Sequence, residues 1–331
     1  MAVTYDVALS SSSNYFAARV GELCSQLDLS YFLVQPVWVE EFLKKLQARE
    51  IEVEVLIDMA ADLYLPDDPY LKLAREVKQQ GGCVIDDPDT GATMAHKGRF
   101  HQILVNNYVP VPETVVVPRS EVGSFRLTDD LRIMLGVPFV VKPGWGGGGQ
   151  GVNVAGRSEK DLIDAAGKCP NSDSFLLQRK VTPKKLDSHV GWFRVFHVLG
   201  EVIPCWWEPP ANQYQLVSPL QRRLYKLAPV SKIVREIARV SKMKFFSSEV
   251  CLTSEGKFVA VDYLNTDPDM SPKSFYPTGV PDEVIRHIAW LLVDEALNRV
   301  KRRQGYFDDE LEERDLDWDY RRRRGLLVPG E

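Results

Sequence analysis

Residues 140–152 read VVKPGWGGGGQGV, and this stretch constrains the chain more than any other. Six of the 22 glycines fall within its positions 144–151. Glycine allows left-handed backbone and close approach, at an entropic cost, so an unconstrained turn has no need of six. Gly146, Gly148 and Gly151 satisfy G-x-G-x-x-G. As a dinucleotide fingerprint that pattern needs a strand before it and a helix after it. The run before, FVVK, suits a strand, but the run after, VNVAG, alternates like another strand. A P-loop ends in G-K-[ST], whereas Lys142 precedes the glycines. The flanks therefore predict a mobile hairpin. Its bare amides, those of Gly147 and Gly149 included, would fold over phosphate, with the Lys142 ammonium neutralising charge at its base.

The chain before this hairpin alternates strand-like and helix-like runs. YDVALS, YFLVQ, EVEVLIDM and CVID read as strands. NYFAARVGELCSQLD, VWVEEFLKKLQARE and DDPYLKLAREVKQQGG read as helices, with Asn14 or a preceding serine capping the first. That order implies parallel strands with crossover helices, a Rossmann-like unit over residues 1–90. A turn-rich link, DDPDTGAT, follows it. HKGRFHQILVNN is expected as a helix, VPVPETVVVP as extended chain, and EVGSFRLTDDLRIMLG as one helix. Beyond the hairpin come a helix (SEKDLIDAAGKC), three strands (SFLLQRKV, WFRVFHVL, VIPCWWEP) and a helix (VSKIVREIARVSKM). A hairpin (SSEVCLTSEGKFVAVDYLN) and a long final helix follow. Residues 301–331 form a charged helix and tail ending near Arg321–Arg324, expected as a solvated surface segment.

Composition excludes several classes. Lys plus Arg is 41 against 46 Asp plus Glu, a net charge of -5, so no basic excess points to nucleic acid. The apolar run 288–293 is too short to span a bilayer, and the N-terminus shows no signal-peptide pattern. Five scattered cysteines without a C-x-x-C pair argue against a disulfide framework or zinc site and suit a reducing, cytoplasmic location. The five histidines show no ligand spacing and are expected at the surface or in packing.

The segments HKGRFHQILVNNYVPVPETVVV, VPFVVKPGWGGGGQGV and GKFVAVDYLNTDPDM, in this order, resemble the ATP-grasp superfamily. The likeness covers roughly residues 84–300 and is similar in spacing to glutathione synthetase, the ribosomal-protein glutamate ligases and D-alanine–D-alanine ligase. It implies an α/β fold: a Rossmann-like pre-ATP-grasp domain (1–90), then an ATP-grasp domain (91–300). The latter would comprise two α+β subdomains, about 91–178 and 179–300, with nucleotide between them. It also implies ATP and Mg²⁺ (or Mn²⁺) as cofactors. The activity implied is carboxylate–amine ligation through an acyl phosphate, on small-molecule or peptide substrates. A homo-oligomer is left open. So are nucleotide binding without turnover and other ATP-grasp chemistry, such as carboxylation or phosphotransfer.

Individual residues take roles from this likeness and from their own chemistry. Lys97 opens a helix, where the dipole disfavours a cation, and matches the family's first phosphate lysine. Lys142 ends a buried strand, where an unpaired ammonium is costly, and is both a nucleotide-binding and a catalytic candidate. Gln178 stands where the family usually has glutamate. Backbone groups of Arg179, Lys180 and Val181 would pair the adenine edge, and Asp187 would hold the ribose. Arg194, in an otherwise apolar strand, needs an anionic partner: a transferred phosphate or a substrate carboxylate. Trp192 stands where an acid often precedes it. Arg222, Arg223 and Lys226 are equally binders of phosphate or an acidic substrate, or surface charges. Glu249, Asp262 and Asn265 are the metal candidates, with Asp267 or Asp269 as substitutes. The family spaces the last two ligands by one residue, whereas Asp262-Tyr263-Leu264-Asn265 is one longer, so either a bulge or an end of the strand after Asp262 is required.

Overall fold

The computed structural model describes residues 2–209 and 211–303. The basic run at 321–324 lies outside the described residues. The N-terminal unit comprises β1 (Val3–Ser11), α1 (Asn14–Gln26), β2 (Tyr31–Leu33), α2 (Val39–Gln47), β3 (Ile51–Met59), α3 (Pro69–Gln79) and β4 (Cys83–Ile85). The sheet is parallel, in the order β2-β1-β3-β4. Ser13 caps α1 by accepting from the Phe16 amide, and Asp68 caps α3 likewise through Leu71. Each such cap contributes about 1 kcal/mol. Both faces of this sheet are covered, as a parallel sheet requires. Ala8 and Leu56 pack with α2 and α3, while Val7, Leu9, Val55 and Ile57 face the opposite way.

Residues 88–94, expected as part of a turn-rich link, form α4 (Pro88–Met94). Asp87 accepts from the Thr90 amide and proline occupies the first turn, a start signal that the glycine and threonine had masked. Next come α5 (Lys97–Asn106), β5 (Thr114–Pro118), α6 (Asp129–Leu135), β6 (Phe139–Pro143), β7 (Asn153–Gly156), α7 (Glu159–Lys168) and β8 (Ser174–Gln178). The single helix expected over 121–136 is shortened to α6. Thr128 captures the Leu131 amide and so starts the helix late. These strands form an antiparallel sheet, β5-β8-β6-β7.

The third sheet runs β13-β12-β11-β14-β15. A short hairpin precedes it: β9 (Lys185–Leu186) and β10 (His189–Val190). Then come β11 (Trp192–Val198), β12 (Glu201–Glu208), β13 (Gln213–Leu216), α8 (Pro219–Leu224), α9 (Ala228–Ser241), β14 (Phe245–Leu252), β15 (Phe258–Asn265) and α10 (Asp282–Arg303). Alternation along β11 sends Phe193 and Val195 toward α9 and α5, and Phe196 and Val198 toward α10 and the N-terminal unit. Fully burying one such phenylalanine stabilises by about 2–3 kcal/mol. Arg194 falls in the second row. Helix α10 packs on α1 and β1, so the end of the described chain returns to its beginning. No described helix is long and apolar enough to cross a membrane.

Candidate phosphate and metal site

The glycine stretch connects two antiparallel strands, with Phe139 opposite Gly156 and Val141 opposite Asn153. Residues 147–150 are exposed. Gly144, at its base, is pinned: its amide donates to Ser174 O (2.8 Å) and Ser172 Oγ (3.0 Å). Its carbonyl accepts from the Lys97 amide (2.8 Å), and Lys97 Nζ donates to Gly146 O. Lys97 therefore grips the start of the loop. Trp145 lies edge-on to both His96 (4.8 Å) and Tyr64 (5.3 Å). It packs at the loop's base against the N-terminal unit. His96 caps α5 by accepting from the Arg99 amide (3.1 Å), and its other nitrogen meets Asp173 (2.7 Å).

Lys142 reaches across to the central sheet. Its ammonium donates to Gln178 Oε1 (2.9 Å) and Val261 O (3.0 Å). Burial pushes its pKa down, opposed by the charges of Asp262 and Glu249 and assisted by Lys97. Burial lowers Lys97 as well, and Asp262 opposes it. The two lysines thus share one carboxylate neighbourhood.

Glu249 and Asp262 stand directly opposite each other on β14 and β15. The next paired residues are Ser247 and Asn265, so β15 spends one residue more than β14 over that interval. In a regular strand a spacing of three puts Asp262 and Asn265 on opposite faces. The extra residue is the bulge. A second slip follows between Glu249 and Val250. Arg194 pairs with Glu249 Oε1 (2.6 Å) and stacks its guanidinium 5.0 Å from the Trp207 ring. Trp192 Nε1 donates to Glu249 Oε2 (2.8 Å). Burial raises Glu249, Arg194 opposes the rise, and Asp262 adds to it.

Among the described residues no group of three or more His, Cys, Asp or Glu side chains is arranged to hold a metal ion by itself. The donor set is two facing carboxylates and one amide. It suits a hard cation that takes its remaining oxygens from phosphate and water. Such an ion would also relieve the mutual repulsion of Glu249 and Asp262. Of the proposed substitutes, Asp267 lines a cavity of about 30 Å³ with Asp58 and Asp86 and donates its amide to Asn265 Oδ1 (3.4 Å), and Asp269 accepts from the Ser271 amide (2.8 Å).

The remaining candidates are held differently. Arg179 donates its backbone N–H to Glu113 O (2.8 Å), so that amide is committed rather than offered to a base. Its guanidinium holds Met134 O (2.7 Å) and Glu113 (3.1 Å). Arg179, Lys180 and Val181 line a cavity of about 930 Å³. Lys97, Lys142 and the glycines of the 144–151 loop do not line it. Asp187 sits in the turn between β9 and β10 and accepts from Tyr225 Oη (2.6 Å). Arg222 and Arg223 lie in the last turn of α8, and Lys226 follows at φ +53°.

Sequence reasoning missed His96, His101, Trp192 and Tyr263 as parts of this region. His101 lies four residues after Lys97, a same-face helical spacing that could have flagged it. His96 adjoins Lys97 and Trp192 precedes Arg194 by two, but what these two and Tyr263 touch (Asp173, Glu249 and Gln178) is set by distant segments.

No protein-family model and no curated protein matches this sequence. Solved structures do. D-alanine–D-alanine ligase from Bacillus anthracis complexed with ATP superimposes with a TM-score of 0.59 at 14% identity, over 92% of this chain and 100% of that one. The ATP-grasp ligase PsnB, complexed with precursor peptide PsnA2 and AMPPNP, gives 0.57 at 12%, over 88% and 96%. The macrocyclase MdnC from Microcystis aeruginosa, bound with precursor peptide MdnA, gives 0.57 at 15%, over 87% and 99%. The fold is that of the ATP-grasp superfamily.

Proposed function

We propose that this ATP-grasp chain is an ATP-dependent carboxylate–amine ligase. The observation that carries the reading is the meeting of Lys97, Lys142, Glu249 and Asp262 at the base of a glycine-rich hairpin. Lys97, Lys142 and the loop amides would bind the ATP phosphates. A substrate carboxylate oxygen attacks the γ-phosphorus, the bond to the bridging oxygen breaks, and ADP leaves. An amine then attacks the acyl carbon, phosphate departs, and the nitrogen loses a proton to give an amide. Glu249, Asp262 and Asn265 would hold Mg²⁺, which when bound supplies charge neutralisation. Arg194 would stabilise the acyl phosphate and its oxyanion. The protein's own contribution is positioning and electrostatics, and the loop keeps water from a hydrolysable intermediate.

Peptide substrates are a reasonable class, since PsnB and MdnC are complexed with precursor peptides. The five free cysteines suit a reducing, cytoplasmic compartment. Nucleotide binding without turnover is the second reading. The Arg194–Glu249 pair favours it, because it occupies the arginine and a metal carboxylate together. The test is incubation with MgATP and panels of acids and amines, following ADP and phosphate. Release that requires both an acid and an amine supports the ligase. Release independent of amine refutes it, and binding without release supports the second reading.

A further inference from the structure

We propose that Gln178, Tyr263 and His101 form one positioning chain for Lys142, so that Gln178 serves the lysine rather than a nucleotide base. The inference rests on Lys142 being a phosphate-binding residue, as in the function proposed above.

The direction of every bond in the chain follows from its first member. A lysine ammonium only donates, so the Gln178 carbonyl must face Lys142 (2.9 Å). The amide nitrogen then points the other way. It donates to Thr114 Oγ1 (3.1 Å) and to Tyr263 Oη (2.8 Å). Tyr263, having accepted, has its own proton for His101 Nδ1 (2.8 Å). That nitrogen accepts only if the imidazole is neutral with its proton on Nε2. Burial, with Lys142 adding to it, keeps His101 neutral by lowering its pKa to about 4. Gln178, Tyr263 and His101 are 2%, 4% and 4% exposed. Water cannot readily replace a lost partner there, so each missing bond is costly.

Both amide atoms of Gln178 are thus engaged inside the protein. A glutamate at 178 could also accept from Lys142, but it has no N–H for Tyr263. The tyrosine would then turn its proton to the carboxylate and release His101. The amide is therefore matched to this tyrosine. Tyr263 lies within the lengthened interval between Asp262 and Asn265, beside the bulge. The two departures from the family pattern, Gln178 and the extra residue, meet in one hydrogen bond. The same strand holds Lys142 a second time through Val261 O (3.0 Å), next to Asp262. Lysine and carboxylate are consequently fixed by one segment of backbone.

The experiment uses the full chain with two readouts. Mg-AMPPNP affinity is measured by calorimetry, and the Gln178 side-chain amide and Lys142 Nζ resonances are followed by NMR without nucleotide. Tyr263→Phe should weaken the analogue about tenfold, the loss expected for one buried hydrogen bond, and should move both resonances. His101→Ala should do the same in part, and His101→Gln, which keeps an acceptor, should restore affinity. Circular dichroism checks that each variant is folded. Affinity in Tyr263→Phe within about twofold of the parent, or unmoved resonances, overturns the positioning chain. A parent protein that fails to bind Mg-AMPPNP overturns the proposed function instead, and the resonances then decide the positioning chain alone.

Discussion

Lys97 and Lys142 approach one carboxylate neighbourhood but are mounted in opposite ways. Lys97 opens a helix, and its ammonium holds a carbonyl of the glycine loop. Lys142 ends a central strand, and its ammonium holds a buried amide and a carbonyl of the facing sheet. The first cation is attached to an exposed loop and the second to the packed frame. Each ammonium keeps at least one N–H for a phosphate, since Lys97 uses one of its three donors and Lys142 two. The difference lies in the mounting: Lys142 is fixed by the packed frame, whereas Lys97 moves with the loop, and a preorganised donor contributes more.

The sharpest way to break this contrast is to remove each lysine in turn. Lys142→Ala should lower Mg-AMPPNP affinity by about 100-fold or more, the scale of a charge-assisted bond worth about 3 kcal/mol. Lys97→Ala should cost about tenfold, since its loss also frees the loop. Calorimetry on both variants checks this, and equal losses would show that the mounting is irrelevant.

Acid should next separate the frame from the loop. The pKa of His101 lies near 4 in the fold, below its ordinary value of 6.5, because burial disfavours the cation. A depressed histidine contributes stability that is complete above about pH 6.5 and is lost as pH falls toward 4. The full loss corresponds to about 3 kcal/mol. His197 is similarly lowered to about 4 by burial, whereas burial raises Asp86 to about 6 and Asp267 to about 7, and those two carboxyls add stability as pH falls through the same window. The histidine contribution is therefore read as a difference: between pH 7 and 4, denaturant unfolding should show His101→Gln gaining about 3 kcal/mol relative to the parent. Parallel pH profiles for the two proteins would exclude His101 as a contributor.

The frame and the loop also differed in how far the sequence disclosed them. The hairpin was legible because its flanking runs alternate and its glycines cluster. The parallel unit was legible because buried strands and amphipathic helices have distinct periods. Lys97 and Lys142 could be singled out as charges at a helix start and a buried strand end, and Glu249 and Asp262 through the ATP-grasp likeness and their place on one predicted hairpin. What they touch could not. The Gln178–Tyr263 bond joins residues 85 positions apart, and Trp192 reaches Glu249 only through the pairing of β11 with β14. Register between distant strands sets those contacts, and one sequence contains no direct record of it. Helix α4 was missed for a local reason, since a glycine and two threonines suggested a turn where Asp87 and Pro88 supply a cap.

Within the loop the contrast repeats on a smaller scale. Gly151 has φ +71°, and a Cβ there would strike Cys169 Sγ beside Pro143. Gly147 has ordinary φ, and a Cβ would meet nothing within 4 Å. Gly151→Ala should therefore destabilise the protein by about 1–2 kcal/mol through strain and overlap, read by denaturant unfolding. Gly147→Ala should leave stability within about 0.5 kcal/mol of the parent, as at other open surface positions. If Gly147 instead serves by letting phosphate approach the bare backbone, its alanine variant should still weaken Mg-AMPPNP a few-fold. Unchanged stability with reduced affinity would mark this tip as ligand-facing. Unchanged values in both would confine the functional part of the loop to its anchored base, where Lys97 and Gly146 meet.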